Sequence, residues 1–219
     1  PKPYSDDPTQ WLFHGYPVKA ENALQVAVAR LLGYRWPAES DEEMELSEEA
    51  RELIKQVKEL QLPFDEDGIV CIPPVYGEQP AAERLRQLLQ KAWGNNWNNN
   101  VLANLLKQAG SNKTNLEDWL RDEFFANHCK VFQNRPFVWH IWDGRKDGFS
   151  VLVNYHKLDK ETLKKLIYTY LGDWIRQCEA KRKAGESGAD GLLSAALKLK
   201  EKLEADILRW ETLASREEG

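Results

Sequence analysis

The residues of this sequence whose side chains are best suited to metal binding or catalysis are its histidines and cysteines. His128 and Cys129 are adjacent, and His140 and His156 follow further along the chain. A zinc site needs four ligands at recognisable spacing, such as a CxxC or HxxxH pair, and the sequence has neither. Neighbours on a helix point about 100° apart, so His128 and Cys129 are poorly placed to share an ion or to form a nucleophile–base pair. We therefore predict neither a metal site nor a cysteine nucleophile.

A second group combines the carboxylates of Asp143 and Asp147 with the basic side chains of Arg135, Arg145 and Lys146. Carboxylates beside cations are compatible with a nuclease. Each aspartate precedes a glycine, however, and Asp-Gly is a turn signature that needs no catalytic role. The phosphate-binding loop, the dinucleotide fingerprint and the G-x-S-x-G elbow are absent from the sequence. A nuclease is our third hypothesis, and we assign no catalytic residue.

Residues 135–156 predict a β-hairpin that positions these side chains. Two runs rich in aromatic and β-branched residues flank the turn-rich segment DGRKDG, whose glycines accept a positive φ. The odd positions of both runs are apolar, so pairing odd with odd positions gives one apolar sheet face. The even face either contacts DNA or a partner protein, or satisfies polar groups against flanking helices. The candidate contact residues are Arg135, His140, Trp142, Arg145, Lys146, Asn154 and His156.

The remaining patterns predict a mostly helical α+β fold in which helices pack around this central antiparallel β-hairpin. A lead-in over 1–19, anchored by Trp11, Phe13 and Tyr16, precedes the first helix, which ends at Gly33. Apolar residues at helical spacing and a short apolar run define the other elements. We expect helices over 21–32, 47–62, 80–92, 101–108, 116–132 and 159–183, and a strand over 67–72.

The last part of the chain predicts an antiparallel helical hairpin. Ser47, Asn115 and Asp159 are typical helix N-caps, and the last of them begins the first helix of this hairpin. A flexible connector over 184–189 leads to the final helix. We expect one domain over 1–158 and the helical hairpin over 159–219, with the option that the two pack as one. The seam of the final helix contains Leu192, Ala196, Leu199, Leu203, Ile207, Trp210 and Leu213.

The charge, the apolar runs and the cysteines of the sequence limit the classes of function that this chain can have. The net charge of −5 disfavours a free-standing module that wraps DNA, because phosphate neutralisation dominates non-specific affinity. Residues 113–183 nevertheless carry 14 basic and 10 acidic residues, so the hairpin region is locally basic. No run reaches the ~20 apolar residues that span a bilayer, so we expect no membrane partner. The N-terminal residues PKPYSDDPTQ lack a basic segment followed by an apolar one, so we expect no signal peptide. Three cysteines at unrelated spacings indicate reduced thiols, which predicts a cytoplasmic protein.

The segment from Phe125 to Trp174, with FVWHIWDGRKDGFSVLVNYH at its centre, resembles a known family. The segments LQVAVARLLGYRWP over 24–37 and DGIVCIPPVYGE over 67–78 are similar to the same family. These are the large class I S-adenosylmethionine-dependent DNA adenine methyltransferases of restriction-modification and BREX- or DISARM-type phage-defence systems, and the similar region is their C-terminal part. The resemblance implies a long parent enzyme that methylates adenine N6 in duplex DNA after flipping the base.

The same resemblance implies that this segment is not the catalytic part. The family's catalytic signature is Asn/Asp-Pro-Pro-Tyr/Phe, whose first side chain accepts a hydrogen bond from the adenine amine while the aromatic ring stacks on the base. The comparable string here is Ile72-Pro73-Pro74-Val75, in which Ile72 cannot accept that bond and Val75 cannot stack. The glycine-rich cofactor loop is also missing. We expect no cofactor in this segment and S-adenosylmethionine in the parent protein.

Our leading interpretation is a non-catalytic C-terminal domain that assists DNA engagement or docks onto the catalytic and target-recognition parts. Its expected partners are double-stranded DNA and the methyltransferase core of the same parent chain. The alternative is a structural or assembly module that binds another defence-system subunit without contacting DNA.

Overall fold

A computed structural model describes the backbone of residues 14–217 and the side chains of residues 14–209. The predicted anchors Trp11 and Phe13, and the side chains of Trp210 and Leu213, lie outside the described residues. The fold is α+β and mostly helical, as the sequence predicts. The helices are α1 (Ala23–Leu31), α2 (Glu48–Glu59), α3 (Ala81–Trp93), α4 (Asn99–Gln108), α5 (Leu116–Asp122), α6 (Phe124–Val131), α7 (Lys160–Lys165), α8 (Gly172–Lys183) and α9 (Ala189–Glu217).

The predicted hairpin forms two strands of a three-stranded antiparallel sheet. Its strands are β2 (Val138–Trp142) and β3 (Ser150–Asn154), and β1 (Ile69–Cys71) pairs with the other side of β3. Trp139 pairs with Val153, so odd positions face odd positions as expected. The resulting order, β1-β3-β2, places β3 in the centre and leaves β2 at one edge.

Both faces of β1 and β3 are buried, so on these strands the even positions pack against helices, which is one of the two alternatives that the sequence leaves open. The odd positions Ile69, Val151 and Val153 pack against the C-terminal helices in one core cluster. The even positions Val70, Val138 and Leu152 pack against the N-terminal helices in a second cluster. Because helices cover both faces, the sheet tolerates apolar side chains at successive positions of β3. The exposed side chains of the sheet therefore lie on β2.

Helix starts follow the predicted capping residues. Ser47 accepts a hydrogen bond from the backbone N–H of Ala50 at 3.2 Å. Asn115 and Asp159 cap α5 and α7 in the same way, and Asn98 caps α4. These side chains satisfy backbone donors that the first helical turn leaves without partners.

Two predicted helices are interrupted. The expected helix over 116–132 breaks at Glu123, whose φ of −128° separates α5 from α6. After the break, α6 packs against β2. The helix over 159–183 contains a π-helical segment, Leu166–Leu171, between α7 and α8.

The C-terminal helices form the predicted hairpin. Gly185 and Gly188, with φ of 74° and 82°, reverse the chain between α8 and α9. The buried seam of α9 packs on α8 and belongs to the same core cluster as the odd face of the sheet, so the hairpin shares a core with the strands. Within the described residues, no helix is long and apolar enough to cross a membrane. The seam residues buried on α9 are Leu192, Ala196, Leu199, Leu203 and Ile207.

Replacing Trp174 with alanine tests this packing. The Trp174 ring is buried in the core shared by the helical hairpin and the sheet. We expect Trp174→Ala to lower the free energy of unfolding by about 3–5 kcal/mol, because truncation of a buried aromatic leaves a cavity. Urea denaturation measures the change, and Trp142→Ala, which truncates a half-exposed ring, is the matched control. A loss within ~0.5 kcal/mol at Trp174 would contradict the packing.

Candidate nucleic-acid interface

His128 has a structural role at the edge of the sheet. Its Nδ1 lies 2.8 Å from Oε1 of Gln25, and its Nε2 accepts hydrogen bonds from the backbone N–H groups of Phe137 and Val138. The ring is therefore neutral, with its proton on Nδ1. Burial lowers the pKa of His128 to about 3. One imidazole thus connects α1, α6 and the start of β2.

The neighbouring thiol supports no nucleophilic chemistry. Burial raises the pKa of Cys129, so the thiolate is disfavoured. His128 uses both ring nitrogens in the hydrogen bonds above and is not available as a base for Cys129. Cys71 and Cys178 are free thiols in the core. The described residues contain no cluster of three or more His, Cys, Asp or Glu side chains suited to a metal ion.

The two aspartates of the hairpin turn have structural partners. Asp143 accepts hydrogen bonds from the backbone N–H groups of Arg145 at 3.0 Å and Phe149 at 2.9 Å. Asp147 forms a bidentate pair with the Arg145 guanidinium, at 3.0 and 2.9 Å. This pair lowers the pKa of Asp147. Turn geometry therefore accounts for both carboxylates, and the nuclease hypothesis receives no support from their arrangement.

The outer edge of β2 is open beyond Val138. The odd residues of β2 exchange hydrogen bonds with β3, as the flanking bond from Tyr155 N–H to the Phe137 carbonyl shows. The peptide groups of the even residues therefore point away from β3. His128 accepts the N–H of Val138, whereas the peptide groups of His140 and Trp142 face outward without a partner among the described residues.

This open edge borders a surface depression of about 500 Å³ between β2 and α5–α6. Trp142 is 47% exposed, and its ring lies nearly parallel to the His140 ring, with a 21° interplanar angle and 6.2 Å between centroids. Phe125 approaches His140 edge-on at 6.3 Å. His140 Nε2 lies 2.6 Å from the Ser150 hydroxyl, and burial lowers the pKa of His140. The result is a neutral aromatic floor.

Charged side chains surround this floor in nearly balanced numbers. Arg121 pairs with Asp118 at 2.6 Å and with Asp122 at 2.9 Å, and Lys113 pairs with Asp122 at 2.7 Å. Hydrogen bonds from Arg121 and Lys113 hold the pKa of Asp122 well below its usual range. Lys146 is exposed on the rim at the turn. Lys146 is thus the cation best placed to meet a ligand from solvent.

The opposite end of the hairpin carries a second basic and aromatic surface. Arg135 and His156 are both exposed there, and the His156 ring lies 5.6 Å from that of Tyr34. On the same side, the guanidinium of Arg35 lies 4.5 Å from the centre of the exposed Phe64 ring. The edge strand β2 therefore has basic groups near both of its ends.

The seven candidate contact residues thus occupy separate places. His140, Trp142 and Lys146 line the depression, while Arg135 and His156 lie at the other end of β2. Arg145 faces α9, where its guanidinium approaches Gly191. Asn154 is buried, donates to the Leu32 carbonyl at 3.1 Å and accepts from the His156 N–H, so it positions the strand. Sequence reasoning missed Lys113, Arg121 and Phe125, which line the depression from the chain before α5, from α5 and from α6.

Comparisons with known proteins confirm the resemblance to adenine-specific methyltransferases. The chain is 32% identical over 117 residues, half of its length, to the adenine-specific methyltransferase PglX of Lacticaseibacillus casei (strain Zhang). It is 23% identical over 129 residues, 54% of its length, to the adenine-specific methyltransferase BrxX of Escherichia coli O9:H4 (strain HS). The matches span only about a tenth of these relatives, at 10% and 11% of their length. A comparison with models of protein families finds no match.

The buried imidazole of His128 makes stability depend on pH in a defined direction. Its pKa is about 3 in the folded chain and returns to ~6.5 on unfolding, so below that value the unfolded chain binds one more proton. The stabilisation that depends on neutral His128 is therefore complete above pH ~6.5. As the pH falls from ~6.5 to the folded pKa of about 3, the free energy of unfolding decreases by up to ~1.4 kcal/mol per pH unit.

Proton NMR of the His128 ring measures this directly. We expect its ring signals to stay constant between about pH 7 and pH 5, while free histidine in the same tube titrates. A titration midpoint of His128 near ~6.5 would contradict its buried, neutral state.

Proposed function

We propose that this chain is a non-catalytic part of a DNA adenine methyltransferase and that it assists DNA engagement. The observation that carries the proposal is the exposed edge strand β2. Its most exposed side chains are the aromatic rings of Trp139 and Trp142. Exposed basic side chains lie near both of its ends, with Lys146 at the turn and Arg135 at the opposite end. Aromatic rings and cations along one edge are the chemistry that contacts bases and phosphates.

The similarity to PglX and BrxX supports the methyltransferase setting. In this proposal the parent protein binds S-adenosylmethionine and transfers its methyl group elsewhere in the chain. Here Ile72 and Val75, which stand where the catalytic motif would have its polar and aromatic residues, are buried core side chains. A role in phage defence and a cytoplasmic location belong to the same proposal, as does contact with the methyltransferase core.

A second candidate function is assembly with another defence-system subunit. The favouring observation lies on α9, where Leu197 and Leu208 are 46% and 64% exposed and, at eleven residues apart, lie on the same face of the helix. Apolar side chains exposed together on one surface mark sites of protein interaction. In this alternative the helical hairpin binds the partner and the chain does not contact DNA.

The salt dependence of DNA binding separates the two functions. We expect the chain to bind a fluorescent duplex of about 30 bp, with an affinity that falls between low and near-physiological salt. Lys146→Ala removes an exposed cation on the rim of the depression. It should reduce the slope of log Kd against log salt by about one.

Arg145→Ala is the matched control, because it changes the net charge by the same amount at the adjacent position. Asp147 already neutralises Arg145 in the folded chain, so this variant should retain the wild-type slope. Equal effects of the two substitutions would remove Lys146 from the interface. The absence of binding at low salt would contradict DNA engagement and favour the assembly function.

A further inference from the structure

We propose that the depression beside β2 holds an unpaired nucleotide whose base stacks on Trp142. This inference rests on the proposed DNA engagement and specifies which form of DNA the site prefers. It concerns a nucleotide outside the double helix, such as one in a single-stranded gap, rather than the continuous duplex.

The aromatic floor provides the stacking surface. Trp142 and His140 lie on the same face of β2, with nearly parallel rings and Phe125 closing one side. Side chains two residues apart on a strand lie on the same face, and exposed aromatic side chains of this kind stack bases in proteins that bind single strands. Bases within a duplex are already stacked on each other, so only an unpaired base can use this surface.

The open strand edge provides polar groups beside the platform. The outward peptide groups of His140 and Trp142 offer N–H donors and carbonyl acceptors at the border of the depression. The polar edge of a base carries the complementary donors and acceptors. An unpaired base can therefore stack on Trp142 and hydrogen-bond to the strand backbone at the same place.

The charges of the site favour a base over a run of phosphates. The cations Lys113, Arg121 and Lys146 are balanced by Asp118, Asp122 and Glu123. Phosphate neutralisation requires an excess of positive charge, which this site does not have. Lys146 on the rim is suited to one phosphate, and the volume of about 500 Å³ falls within the usual range for a small-molecule site.

Binding to gapped DNA tests the inference. A duplex of about 30 bp is compared with the same duplex carrying a central gap of about four nucleotides, which matches the smallest single-strand sites. We expect the gapped duplex to bind roughly tenfold more tightly, as stacking of one base predicts. Trp142→Ala should abolish this preference, and Trp142→Phe should retain most of it.

Trp139→Ala is the matched control for Trp142→Ala. Both tryptophans lie on β2 with 45% and 47% of their surface exposed, but Trp139 points to the opposite face and stacks on Tyr155. The preference for the gap should survive in Trp139→Ala. Circular dichroism confirms that each variant is folded before it is tested.

Three results would overturn the inference in distinguishable ways. Equal affinity for intact and gapped duplex, with salt dependence retained, would refute the unpaired nucleotide and leave DNA engagement in place. The same holds if Trp139→Ala and Trp142→Ala are equally harmful. Failure to bind any DNA would refute both proposals and would leave the edge of β2 as a place for an extended peptide to add a strand.

Discussion

The imidazole of His128 is the contact on which the arrangement of the candidate site depends. It is buried and neutral, and it joins Gln25 of α1 to the first backbone donors of β2. By accepting the N–H of Val138, it closes the first part of the sheet edge. The remaining part, from His140 to Trp142, is left open beside α5 and α6. A charged ring would lose an acceptor and face an apolar core, so this geometry requires the neutral form.

The position of β3 in the centre of the sheet explains why so few residues of the sheet expose polar, aromatic or charged side chains. Helices bury both of its faces, and β1 and β2 occupy both of its edges. Polar side chains on β3, such as Ser150 and Asn154, therefore form hydrogen bonds within the protein. Among the strands and turns of the described residues, only β2 and the hairpin turn combine an open backbone edge, exposed aromatic rings and cations. The geometry of the turn directs its two basic side chains to different places. Asp147 holds Arg145 towards α9, while Lys146 stays on the rim of the depression.

Sequence reasoning succeeded where the determining interactions are local. Ser47, Asn115 and Asp159 could be recognised as caps because a capping side chain bonds to N–H groups within three residues. The hairpin register followed from alternation. The break at Glu123 has no proline or glycine to mark it, so neither it nor the arrival of Phe125 beside β2 was predictable. The burial of Asn154 arises from the non-local pairing of β1 with β3, which no hairpin pattern contains.

A residue-level map of DNA contact tests the central claim most directly. An amide and tryptophan-indole NMR spectrum of the chain is titrated with the gapped duplex, which offers both phosphates and unpaired bases. We expect the signals of Lys146, His140 and the Trp142 indole to shift together, while those of Asn154 and the buried Trp174 indole stay constant. Shifts confined to the C-terminal helices, with β2 unperturbed, would contradict the claim that this edge strand is the DNA-contacting surface.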